Sequence, residues 1–115
     1  MRRRVTMLGQ RIRTARQTLL GVSQAQLGLD AGITKDYKSA SVRMNRYESG
    51  KANPDPETLE KIAKALGVPT AYLLTTDDEL AALILAFDRM PAKKREALLK
   101  QLLPYLPDGL SPLKD

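Results

Sequence analysis

Apolar residues recur along the chain at steps of three and four, and no segment sustains an alternating pattern, so every predicted element is a helix. Val5, Leu8, Ile12, Ala15 and Leu19 mark a first helix over about Thr6 to Leu20, ended by Gly21. Ser23 to Gln26 has the form of a capping box, with Ser23 as N-cap and Gln26 at the third helical position, and it opens a short helix that stops at Gly32. Leu27 and Ala31 form its inner face. Gly28 lies between them, and a residue without Cβ there lets a neighbouring helix come close. The pattern lapses from Ile33 to Lys38. Ser39 can then cap a third helix, ended by Gly50, which turns Ala40, Met44 and Tyr47 to one side and Ser41, Val42, Asn45, Arg46 and Ser49 to the other.

After the linker Ala52-Asn53-Pro54, Asp55-Pro56 pairs a cap with proline at the first helical position. Leu59, Ile62, Ala63 and Leu66 give the buried stripe of a fourth helix closed by Gly67. Thr70 starts a short fifth helix through Tyr72 and Leu74. Thr76-Asp77-Asp78-Glu79 is another capping box with acids in the first turn, where the helix dipole favours them, and Leu80, Leu83, Ile84 and Phe87 form the stripe that follows. Pro91 opens a last helix with Leu98, Leu99, Leu102 and Leu103 apolar, ahead of Pro104 and a Pro/Gly-rich tail. The fold class is therefore all-α, with a boundary near Thr75: a five-helix unit over 1–75 and a two-helix extension over 76–115.

Charge adds what periodicity does not. The chain of 115 residues carries a net charge of +6, but residues 1–54 hold eleven Lys/Arg against three Asp/Glu, which leaves the remainder at −2. A basic front half points to a polyanionic partner, and a mildly acidic back half to a different task. The outer face of the third helix has no acid and carries Asn45 and Arg46, side chains that both donate to and pack on a base edge. There is no cysteine and no histidine, which removes disulfides, thiolate zinc sites, His bases and His-ligated metals. The remaining carboxylates, lysines, serines and tyrosines form no nucleophile-base constellation, so no enzyme, catalytic residue, metal or cofactor is expected. No apolar run reaches the roughly 20 residues of a membrane span, and no apolar region follows Met1-Arg2-Arg3-Arg4, so a cytoplasmic protein is expected.

Two short helices joined by a turn, with a small residue at their closest approach and a basic outer face on the second, meet the requirements of a helix-turn-helix. The stretches SQAQLGLDAGI, NRYESGKANPDPETLEKIAKALGVP and AYLL resemble the DNA-binding domain of the lambda repressor/Cro-like family, also called the xenobiotic-response-element family, over roughly Leu8 to Leu74. The resemblance implies a lambda-repressor-like five-helix domain that binds double-stranded DNA, usually as a homodimer, with the second helix of the motif in the major groove. It implies base contacts from Ser41, Val42, Asn45 and Arg46. Asn and Arg suit adenine and guanine, Val42 suits a thymine methyl, and Ser41 is neutral to sequence. Gln24 matches a phosphate-contacting position, Lys51 and Arg43 suit phosphate neutralisation, and Arg2, Arg3 and Arg4 could form an arm. Glu48 resembles the family glutamate that pairs with an arginine of the first helix, for which Arg16 is the candidate.

The chain departs from the family between Gly32 and Glu48, where about six extra residues lengthen the turn and place Lys35 and Lys38 within reach of phosphates. Arg16 also lies one residue further from Gly21 than the family pattern has it. The reading is a prokaryotic or phage-type transcriptional regulator, a repressor rather than an activator, since nothing identifies a polymerase-contacting surface. The rival is an antitoxin or protein-interaction module whose DNA binding is secondary to neutralising a partner through the helices of residues 76–106. The last two helices carry more apolar surface than a hairpin buries within itself, which points to dimerisation; no inducer is evident.

Overall fold

The computed structural model describes residues 6–113, and among them it contains helices and no strand. Seven α-helices follow one another: α1 (Met7–Ala15), α2 (Gln24–Asp30), α3 (Tyr37–Ser49), α4 (Pro56–Leu66), α5 (Thr70–Leu74), α6 (Asp78–Arg89) and α7 (Ala92–Leu102). Val5 and the arginines at positions 2, 3 and 4, named above for the first helix and for an arm, lie outside the described residues. Ile12, Leu27, Met44, Ile62 and Leu73 are the largest fully buried side chains, one from each of α1 to α5. Five helices therefore share a single core, and each stripe read from the sequence for α1 to α4 supplies part of it.

The first helix does not run as a plain α-helix to Leu20. Over Arg16–Leu20 it widens into one π-helical turn, in which the Gly21 N–H donates to the Arg16 carbonyl at 2.8 Å. A π-turn accommodates one residue more than an α-turn. The additional residue before Gly21 is absorbed there, and the Arg16 side chain stays on the inner face.

Two glycines let helices touch through their backbones. A Cβ on Gly28 would lie 2.8 Å from the Ala40 Cβ, so α2 and α3 make a close approach at this glycine. Gly9 was not singled out by periodicity, yet a Cβ there would overlap the Glu48 carbonyl oxygen, so α1 crosses the end of α3 even more closely.

The back helices differ from each other. α6 lies against the front core through Ala81, which is buried, and Leu85, whereas Leu80 and Leu83 of the expected stripe are exposed. Its cap is Asp77 rather than Thr76: the Asp77 carboxylate accepts from the N–H groups of Glu79 and Leu80. Arg11 fastens this junction to α1. Its Nε donates to the Thr75 carbonyl at 2.9 Å, its Nη2 meets Asp78 Oδ1 at 3.0 Å, and its guanidinium lies over the Tyr72 ring. By contrast α7 buries no residue fully. It faces α6 across an open apolar cleft of about 490 Å³ lined by Leu83, Ile84, Phe87, Leu98, Leu99 and Leu102.

Candidate nucleic-acid interface

The helix expected to begin after Ser39 begins three residues earlier. Asp36 is the N-cap, and its Oδ2 accepts from the Ser39 N–H at 2.9 Å and from the Ser39 hydroxyl at 2.7 Å. Both residue types cap helices well, but the carboxylate takes two donors at once, and Ser39 becomes the third helical residue. These bonds from the Ser39 side chain and backbone hold the Asp36 carboxyl below its ordinary pKa. The cap is complete above the usual carboxylate range and is lost only as the solution becomes more acidic than that. α3 is thus 13 residues long, and Tyr37 and Lys38 belong to it.

Its two faces separate as the periodicity implies. Ala40, Met44, Tyr47 and Glu48 are buried. Val42, Asn45 and Arg46 are exposed, and Ser41 is half-buried beside them. Lys35 in the turn and Lys51 beyond Gly50 are exposed as well. Arg43 is placed differently from a free cation: its Nη1 donates to the Ile33 carbonyl and its Nη2 to the Tyr47 hydroxyl, both at 3.1 Å. It ties the lengthened turn to the helix that follows.

Beneath this surface lies a buried charge network. Arg16 and Glu48 form a two-pronged pair, Nε to Oε2 at 2.7 Å and Nη2 to Oε1 at 2.9 Å, and Arg16 Nη1 donates to the Val22 carbonyl at 2.8 Å. Arg13 Nε approaches Glu48 Oε1 at 3.6 Å. Gln24, half-buried at the start of α2, donates from Nε2 to Glu48 Oε1 at 3.1 Å, and its Oε1 accepts from Asn45 Nδ2 at 3.4 Å. No buried side-chain nitrogen or oxygen among the described residues lacks a partner. One carboxylate therefore joins α1, α2 and α3, and through Gln24 it orients the Asn45 amide on the outer face. That link and the Arg13 contact were missed from sequence. The three-residue step from Arg13 to Arg16, which puts both on one helix face, was the available signal. No group of three or more acids that could hold a metal occurs among the described residues.

Known proteins resemble this chain in sequence and in fold. A helix-turn-helix family model matches residues 45–73, from within α3 to the end of the core. The SPbeta prophage-derived uncharacterized HTH-type transcriptional regulator YonR of Bacillus subtilis (strain 168) is 40% identical over 68 residues, which is 59% of this chain and 56% of that protein. The chain thus spans little more than half the length of that curated relative. The crystal structure of transcriptional regulator BswR superposes with a TM-score of 0.75 at 40% identity, covering 85% of this chain and 93% of the other. With near-complete coverage of that regulator at this identity, and with the five-helix core and the α2–α3 pair in place, the chain belongs to the lambda repressor/Cro-like helix-turn-helix family.

Proposed function

We propose that the protein is a cytoplasmic transcriptional regulator without enzymatic activity, acting as a repressor, that binds double-stranded DNA by laying α3 in the major groove. The observation that carries this reading is the acid-free outer face of α3, with Val42, Asn45 and Arg46 exposed on a helix whose inner side is locked by the Arg16–Glu48 pair. A reading surface discriminates bases only if its backbone is held rigidly relative to the groove. Arg46 meets guanine, Asn45 meets adenine, Val42 packs on a thymine methyl, and Ser41 contacts a base edge without selecting it. Gln24 keeps one amide N–H beyond its bond to Glu48, and that N–H faces a phosphate. Lys35 and Lys51 neutralise phosphates, and Arg43 does so only with the guanidinium N–H groups that its bonds to Ile33 and Tyr47 leave over.

The regulator works as a homodimer through α6 and α7. One reading helix spans only a few base pairs, and two half-sites about one helical turn apart bring affinity and specificity into a useful range. The exposed leucines of α6 and the α6–α7 cleft are the apolar surface left over for that contact. A salt titration on duplex DNA tests the reading. Each phosphate neutralised contributes a slope of about −0.9 in log affinity against log salt, so with six or more contacts per dimer affinity falls by about 10³-fold or more between 50 and 200 mM salt. A flat response, or no duplex binding at low salt, contradicts it.

A further inference from the structure

We infer that the residues added ahead of α3 enlarge the base-reading surface, and that Lys38 recognises a guanine rather than a phosphate. The inference rests on the reading that α3 enters the major groove. Because Asp36 caps the helix, Lys38 sits on its first turn instead of in a loop. At about 100° per residue it projects within about 20° of Asn45 and about 40° of Val42, on the side opposite Ala40. It is exposed, and among the described residues no carboxylate forms an ion pair with it.

Two contacts make this first turn rigid. Asp36 holds Ser39 by two hydrogen bonds, and Arg43 reaches back to the Ile33 carbonyl. Both Ser39 bonds end on Asp36 Oδ2, and no ion pair joins this carboxylate to the Lys38 ammonium. From Lys38 to Arg46 the helix rises about 12 Å, or between three and four base-pair steps of about 3.4 Å. A lysine on that line reaches the O6 and N7 acceptors that guanine presents in the major groove. The helix-turn-helix family match covers residues 45–73, so Lys38 lies outside the matched span.

Selection of bound duplexes from random DNA by the full-length chain tests it, with Lys38→Ala, Lys38→Arg and Lys51→Ala in parallel. The expected result is that Lys38→Ala loses discrimination of about 5- to 150-fold at one guanine, leaves the other positions unchanged, and is rescued by Lys38→Arg. Equal weakening on all sequences, as expected for Lys51→Ala, or no change at all would overturn the inference. If the unaltered chain selects no sequence, the proposed function fails, and this inference with it.

Discussion

Replacing Glu48 by alanine is expected to destabilise the folded chain by about 3 to 5 kcal/mol, the cost of leaving a buried charge without its partner. Glu48 is 3% and Arg16 is 8% exposed, and the carboxylate takes both prongs of the guanidinium and the Gln24 amide. Removing it strands Arg16 with only the Val22 carbonyl and frees Gln24 to turn away from Asn45. The loss therefore falls on two levels, stability and the orientation of the reading face. Thermal or urea unfolding of Glu48→Ala, Arg16→Met and the double variant measures the coupling. A double variant that is more stable than the sum of the two single losses predicts is the expected outcome, because the second change removes the stranded charge. Strict additivity would mean that the pair contributes nothing jointly.

Leu83→Glu is expected to convert the protein to a monomer and to lower affinity for a paired site by about 10² to 10⁴-fold, the avidity lost when two linked contacts become independent. Leu83 is 48% exposed in the single chain, so the change spares the monomer's own core. Truncation after Thr75 is the less discriminating experiment. It would strip Ala81 and Leu85 from the front core and remove Asp78 from Arg11, mixing unfolding with loss of the interface. Sedimentation of Leu83→Glu, together with binding to half-sites at varied spacing, separates the effects. A variant that still sediments as a dimer would place the interface elsewhere, with α4 and α5 the next surface to test.

Where side-chain size and spacing agree, the architecture was legible in the sequence. Ala40, Met44 and Tyr47 are buried as their spacing requires, and Gly21, Gly50 and Gly67 end the elements that they were expected to end. The start of α3 was not legible, because Asp36 and Ser39 are both good caps and Tyr37 and Lys38 add no apolar stripe to decide between them. The docked face of α6 was hidden for the opposite reason. Residues 80 to 87 are apolar all round, so periodicity cannot choose a face, and the contact is made by the small Ala81 together with Leu85, neither of them in the expected stripe. The extra residue between Arg16 and Gly21 is taken up by a π-turn, which sequence pattern does not announce, and the Arg16–Glu48 pair is made. At the interface, residue types identified the outer face. The hydrogen-bonded path from Glu48 through Gln24 to Asn45 needed the helices in place.

The most direct test of base reading by α3 compares duplex sequences selected by the unaltered chain with those selected by Asn45→Ala, Arg46→Ala and Lys51→Ala. Asn45→Ala and Arg46→Ala are predicted to lose preference at separate bases, at about 1 to 3 kcal/mol each, while Lys51→Ala weakens binding to every sequence alike. If Lys51→Ala alters the selected sequence and Arg46→Ala does not, α3 is not the reading element.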